Sequence, residues 1–473
     1  MTQFIIEHDI DKMSIHFVAA GGVGMSALAH IAAARGAAVT GCDCAEGAAL
    51  AALRRAGVTC HIGHSPDHLE GVDLVVHSSA VSPENPELQT AARRGIPMVP
   101  RGRMLGLLQQ GHETIAVAGA HGKTTTTWII GHMLIRCGVD PTVAVGGTVA
   151  EIGGTCRAGG GRLFVTESDE SDGSFLHLAP TYPIITNIDA DHLEYWGDIS
   201  RIEAAFAKFA SAGEGGAVIA CVDCPRTVAL LEHLDRRVVR YGLTGGEVRA
   251  ENVRLRPNRA VFDAHLPGQT IKDVILSLPG RYNVQNALAA LALADELELP
   301  MDTVLEALAD VAGVDRRLQL RGRANGVAVY DDYAHHPAEL RATLDAARLL
   351  TDGQLVGVFQ PHRYSRTQQM HSEFGPVFGR LDRLIVAPIY SAWEQVVEGV
   401  DAGLIADAVR EHNNVSCEQV DDLADVPRRL APELKPGDVV ITLGAGDVWQ
   451  TGDALLAVLR EYEEGNVPDA AGE

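Results

Sequence analysis

The stretch "TIAVAGAHGKTTTTW", Thr114 to Trp128, constrains the fold more than any other part of this chain. "TIAVAGA" has the composition of a short buried strand, and "KTTTTWIIGHMLIRCG" has the length of a helix stopped by Gly138. Gly119 to Gly122 must then turn the chain from strand to helix. Backbone N–H groups at such a turn, with the positive end of the helix, form an anion cradle. The usual phosphate loop has another glycine five residues before the one in Gly-Lys-Thr; here Val117 holds that place and the only nearby earlier glycine is Gly119. The loop is therefore two residues shorter than usual, not broken. In such a loop Lys123 is expected to reach terminal phosphates and the Thr124 hydroxyl to hold Mg²⁺.

The same alternation recurs on both sides. "SIHFVAAGGVGMSALAHIAAARGAAVTGCD", "GVDLVVHSSA" and "GIPMVPR" precede the loop, and "GVAVYDDYAHHP", "QLVGVFQPHR", "RLIVAPIY" and "DVVITLGAGD" alternate with helices after it. Short β-rich runs alternating with helices predict parallel, doubly wound α/β sheets with binding crevices at the strands' carboxyl ends. A length of 473 residues exceeds one ordinary core. The expected domains are 1–110, 111–314 and 315–473, with "GVDRRLQLRG" as the hinge before the last.

A net charge of −23 argues against a nucleic-acid partner, because phosphate backbones are bound through clustered Lys and Arg. No apolar run is long enough to cross a membrane, and "MTQFIIEHDIDKM" lacks the features of a secretion signal, which predicts a cytoplasmic protein. Eight cysteines then read as reduced thiols. Cys221 and Cys224, and Cys42 and Cys44, lack a matching second pair, so ordinary loop and core positions are expected rather than zinc ligands.

ATP chemistry needs a metal partner, usually a carboxylate at the end of a neighbouring strand. "RLFVTESDESD" supplies Glu167, Asp169, Glu170 and Asp172, and "TNIDADH" supplies Asn187, Asp189, Asp191 and His192. Spacing leaves open which carboxylate coordinates. "HFVAAGGVGMS" approximates a dinucleotide loop, with Gly21 and Gly24 in place but Ala19 at the first glycine, and Asp43 stands where a ribose-binding acid is expected. "DDYAHHP" carries Asp331, Asp332, His335 and His336, and "FQPHRYSRT" carries His362, Arg363 and Arg366. Two arginines three apart with a histidine can clamp a carboxylate or phosphate.

Taken together, "GGVGMS", "SSAVSPENPE", "GAHGKTTTT", "ESDESDGSFL", "TNIDADHL", "GRYNVQNALAA", "DDYAHHP", "FQPHRYSRT" and "GAGD" make the chain resemble the Mur ligases of peptidoglycan synthesis, and among them the branch that adds L-alanine to UDP-N-acetylmuramate. The resemblance implies an N-terminal Rossmann-like UDP-sugar domain, a central P-loop ATPase-like domain and a C-terminal Rossmann-like domain for the amino acid. It implies ATP held by Gly119, Ala120, His121, Gly122, Lys123, Thr124, Thr125, Asn283, Asn286, Arg317 and Asp332, and Mg²⁺ by Thr124, Glu167 and His192. It assigns the UDP-sugar to Gly21, Gly22, Gly24, Met25, Ser26, Asp43, Ser78 and Ser79, and the amino acid to Tyr333, His335, His362, Arg363 and Arg366. Lys123, Glu167, His192, Asp332 and His335 form the implied catalytic set, in a monomer or homodimer.

Departures from the family pattern are Ala19, Ala120 for threonine, Tyr282 for histidine, Leu318 for an aromatic residue and Trp393 for glycine. The nearest rival is the recycling ligase that joins a tripeptide to the same sugar; Tyr333 and "FQPHRYSRT" favour the alanine branch. A nicotinamide-dependent oxidoreductase built on "AAGGVG" leaves the rest of the chain unexplained, and a non-catalytic descendant leaves Lys123, Glu167 and His192 without a use.

Overall fold

The computed structural model describes residues 10–392 and 394–464, so Trp393 lies outside the described residues. It contains three sheets among α-helices. Contacts divide the chain into two compact units. The first runs to Asn252 and adds Phe262–Leu276 and Asn283–Val314; the second takes Val253–Val261, Ser277–Tyr282 and the chain from Asp315. No helix of the described residues is long and apolar enough to cross a membrane.

In the first unit, β1 (Ser14–Val18), β2 (Ala38–Asp43), β3 (Thr59–Ile62), β4 (Leu74–His77) and β5 (Met98–Pro100) pair in the order β3-β2-β1-β4-β5, all parallel. The winding reverses between β1 and β4. Loops leaving their carboxyl ends diverge there and open a crevice, which places Ala19 to Gly22 beside Ser78 and Ser79. Side chains alternate across the sheet with period two. Ile15, Phe17, Leu74 and Val76 join the core that includes Met25 and Leu28 of the helix Val23–Arg35, while Val18, Cys42 and Val75 pack with Leu88 of the helix Pro86–Arg94 on the other face.

The second sheet is built from β6 (Glu113–Ala118), β7 (Thr142–Val149), β8 (Gly154–Arg157), β9 (Leu163–Glu167), β10 (Tyr182–Ile185), β11 (Val218–Cys221), β12 (Val238–Gly242), β13 (Val248–Arg256), β14 (Arg259–Leu266) and β15 (Gln269–Leu276). Its order is β15-β14-β13-β12-β11-β10-β6-β9-β7-β8. β6 is flanked in parallel by β9 and β10, with Val117 opposite Glu167 and Ala118 opposite Ile185. The phosphate turn therefore leaves the sheet between the two strands that carry the acidic clusters. Three strands between Val248 and Leu276 were not anticipated from the sequence. β13 and β15 are mostly exposed or half-buried, with two buried residues each, so their apolar contrast is weak.

The third sheet contains β16 (Gln319–Ala324), β17 (Val327–Asp332), β18 (Leu355–Phe359), β19 (Arg383–Val386), β20 (Ser416–Gln419) and β21 (Val439–Leu443), ordered β16-β17-β21-β18-β19-β20. Only β16 runs antiparallel to its neighbour. β18 and β21 are buried at every residue, which explains their continuous apolar runs.

Candidate active site

The turn after β6 is held by the strand beside it. His121 N–H donates to Asn187 Oδ1 at 2.9 Å, and Thr186 Oγ1 and Asn187 Nδ2 donate to His121 O at 2.7 and 2.9 Å. Gly119 has φ 143°, and a Cβ there would lie 2.0 Å from Thr186 Oγ1, so only glycine fits. Thr124 and Thr125 are buried in the first turn of the helix Lys123–Arg136. A Cβ on Gly122 would lie 2.8 Å from Asn286 Oδ1, which places Asn286 against the turn, and Asn286 Nδ2 donates to Asn283 Oδ1 at 3.2 Å.

Lys123 Nζ donates to Gly119 O at 2.7 Å and to Glu170 Oε1 at 2.9 Å, with side chains only 14% and 4% exposed. Burial alone would lower the lysine pKa; the charges of Glu170, Asp169 and Glu167 outweigh it and hold the ammonium above its ordinary range. Burial raises the Glu170 carboxyl while the Lys123 charge pulls it back. Glu170 Oε2 is buried without a hydrogen-bond partner. Glu167 closes the other side, accepting Gly146 N–H at 2.8 Å; a Cβ on Gly146 would lie 2.2 Å from the same carboxylate oxygen. Hydroxyl and carboxylate oxygens are the donor set that Mg²⁺ takes, so Thr124, Glu167 and the unpartnered Glu170 oxygen fit that ion. His192 stands 3.6 Å from both Asp191 and Glu194 carboxylate oxygens. Burial lowers its pKa, but Glu194 and Asp191 outweigh it and favour the imidazolium.

Gly22, Gly24, Met25, Ser78 and Ser79 meet Gly146, Glu167, Asp169 and Asp172 around a cavity of about 370 Å³ inside the first unit. Ser26 is buried and its hydroxyl donates to Val23 O at 3.0 Å. Asp43 is committed to the loop itself, accepting Gly21 N–H through Oδ2 at 2.8 Å. Ala19 adopts φ 65°, the left-handed region that a glycine enters without strain. Sequence reasoning missed Arg101, which lines the cavity and donates to Asp169 Oδ2 at 3.2 Å. The signal available was its place directly after the β5 run, at the carboxyl edge of the first sheet.

In the second unit, Asp332 accepts Leu318 N–H at 2.6 Å and Ala334 N–H at 2.8 Å. Burial nevertheless pushes its pKa up to about 6, against the Arg317 charge and these two donors. Arg317 lies 5.4 Å over the Tyr333 ring. Tyr333, His335 and His362 form a chain of rings, with centroids 5.5 Å apart for the first pair and 5.3 Å for the second. Arg366 Nη1 lies 3.3 Å from His362 Nδ1, and Arg363 N–H donates to Tyr390 O at 2.8 Å. Tyr390, also missed from the sequence, stacks on His362 at 5.8 Å. Two polar residues of "DDYAHHP" have structural duties: Asp331 pairs with Arg316 at 2.9 Å, and His336 caps the helix Pro337–Ala347. Of the departures, Leu318 and Tyr282 pack against the core of the third sheet, and Ala120 O lies 3.4 Å from Lys123 Nζ.

These elements match known domains in chain order. Residues 14–112 match the Mur ligase family catalytic domain, 117–294 the Mur ligase middle domain and 316–446 the Mur ligase glutamate ligase domain. The UDP-N-acetylmuramate–L-alanine ligase of Pelotomaculum thermopropionicum is 42% identical over 96% of this chain and 99% of its own length. That of Sorangium cellulosum is 44% identical over 97% and 98%. The crystal structure of UDP-N-acetylmuramate-alanine ligase from Thermotoga maritima superposes with a TM-score of 0.81 at 30% identity, covering 96% of this chain and 100% of that one. The chain belongs to the Mur ligase family.

Proposed function

We propose that the protein joins L-alanine to the lactyl carboxylate of UDP-N-acetylmuramate at the expense of ATP, releasing ADP and phosphate, in the cytoplasmic assembly of peptidoglycan precursors. The observation that carries this reading is Lys123, set in a glycine turn between the carboxylate-bearing ends of β9 and β10, in a chain about 42% identical along its length to ligases of that name. The working domains are taken as 1–110 for the UDP-sugar, 111–314 for ATP and 315–473 for the amino acid.

A carboxylate is a poor acyl donor, so the lactyl carboxylate first takes the γ-phosphoryl group of ATP. The amine of L-alanine attacks the acyl phosphate, and the tetrahedral intermediate expels phosphate. Amides of the Gly119 to Gly122 turn bind and orient the phosphate chain, and Lys123 places its ammonium against charge that grows on the transferring group, usually the largest catalytic contribution. Thr124, Glu167 and His192 would hold Mg²⁺, which would neutralise phosphate oxygens. The turn after β1, with Ser78 and Ser79, holds the sugar diphosphate, and Arg101 positions the acidic loop facing it. His335, His362, Arg363 and Arg366, with Tyr333, are assigned to the amino acid.

The test is phosphate release from Mg-ATP and UDP-N-acetylmuramate with L-alanine, glycine, L-serine or the tripeptide as acceptor. Release that requires L-alanine supports the assignment. Dependence on the tripeptide would move the protein to the recycling branch, and no release with any acceptor would sink the reading.

A further inference from the structure

The ligase chemistry leaves one cluster of reactive side chains unused. It lies on the face of the first sheet covered by the helix Pro86–Arg94, where His16 projects from β1 and Cys42 from the end of β2. His68, in the turn Pro66–Leu69, and Glu87, in the first turn of the helix, complete it. His16, Cys42 and Glu87 are fully buried. We propose that His16 Nε2, Cys42 Sγ, His68 Nδ1 and one Glu87 carboxylate oxygen form a binding site for a single divalent transition-metal ion of the zinc type.

Each residue offers a ligand atom, and the four atoms lie within 4.8 Å of one another. A tetrahedral ion with bonds of about 2.0–2.3 Å needs its donors about 3.3–3.8 Å apart. Cys42 Sγ is 3.0 Å from Glu87 Oε2, His68 Nδ1 is 2.6 Å from Glu87 Oε1, and His16 Nε2 is 3.5 Å from the same oxygen, so shifts of about an ångström or less would open the set around an ion. The independent sign of a ligand is His16. Its Nε2 is buried and aimed into the cluster, with Glu87 Oε1 at 3.5 Å, too far for a well-formed hydrogen bond, while its Nδ1 lies 2.7 Å from Thr40 Oγ1. That is the outer contact by which a metal-bound imidazole is oriented. His64 Nδ1 lies 2.9 Å from Glu87 Oε2 and supplies the outer contact to the carboxylate.

The donor set selects the metal. A thiolate and two imidazoles suit zinc and its borderline neighbours rather than Mg²⁺. One thiolate, one carboxylate and two neutral imidazoles cancel the charge of a divalent ion, which suits a buried site. Binding displaces the Cys42 thiol proton, now donated to Glu87, into solvent and forms the sulfur–metal bond without any change of oxidation state.

The test uses the untagged full-length chain, freed of metal with a chelator and titrated with Co²⁺. One equivalent should produce a thiolate-to-cobalt charge-transfer band and intense tetrahedral d–d bands, both erased by one equivalent of Zn²⁺. Cys42→Ser should remove the charge-transfer band, and His68→Gln should weaken Co²⁺ binding at least about tenfold. Cys44→Ser, at an exposed neighbouring thiol, should alter neither. Absence of the thiolate band in the wild type, or its survival in Cys42→Ser, would overturn the proposal. If Cys42→Ser does not fold, the thermal midpoint of the metal-free wild type decides: it should rise with equimolar Zn²⁺ and not with equimolar Mg²⁺, and no rise with Zn²⁺ refutes the site.

Discussion

Lys123→Ala separates the catalytic and structural roles of the phosphate-loop lysine. In the native structure its ammonium is 2.9 Å from Glu170 Oε1, and the two side chains are 14% and 4% exposed. Deleting one partner of a buried pair leaves the other charge uncompensated, at about 3–5 kcal/mol. Glu170 can escape by taking a proton, and burial already raises its pKa. An unfolded glutamate titrates near about 4.3. Between that value and the higher folded one, the native variant binds more protons than the unfolded chain, so its stability falls as pH rises, by up to about 1.4 kcal/mol per unit. The deficit against wild type should therefore be small near about pH 4 and reach about 3 kcal/mol near about pH 8. Urea unfolding at both pH values measures it, and Lys123→Met with Glu170→Gln should recover much of the loss. Phosphate release should fall about 10²–10³-fold or more in Lys123→Ala while UDP-sugar binding persists. A deficit equal at the two pH values, or wild-type stability at the higher one, would refute the buried-pair reasoning; near-normal turnover would refute the role of the loop.

Ala19→Gly should stabilise the chain by up to about 1 kcal/mol in urea unfolding, because relief of left-handed strain of about 1–2 kcal/mol exceeds the added backbone entropy of the unfolded chain. Gly119→Ala should abolish ATP binding in calorimetry, since its methyl would lie 2.0 Å from Thr186 Oγ1. Asp332→Asn should gain up to about 3 kcal/mol relative to wild type between about pH 4 and pH 8. The sign follows because the folded Asp332 pKa is raised to about 6; its contribution is full below the unfolded value and lost as pH rises through 6. Phe175→Ala should lower stability by about 3–5 kcal/mol in the same unfolding assay, because Phe175 is fully buried against Phe206 and Phe209.

The sequence by itself determined the local units. A strand, a glycine turn and a helix are specified by adjacent residues, so the cradle at Gly119 to Gly122, with Lys123 and Thr124 at its helix, was legible without any long-range information. So were the parallel α/β class and the acidic strand ends, whose apolar runs stop where the carboxylates begin. Strand order and register were decided only by the tertiary structure, because every buried parallel strand presents much the same apolar run to its neighbours. Spacing could not choose among Glu167, Glu170 and Asp169; the sheet pairs Glu170 with Lys123, ties Glu167 to Gly146 and gives Asp169 to Arg101. The place of Asp43 after β2 was legible in the sequence, but only the fold shows that its Oδ2 also accepts the Gly21 amide. Cys42 read as an ordinary core thiol because its neighbour Cys44 makes no ligand pair, yet strand pairing and a helix start bring His16, His68 and Glu87 to it from distant parts of the chain. Local periodicity encodes which face a side chain takes; only the folded sheet decides what it meets there.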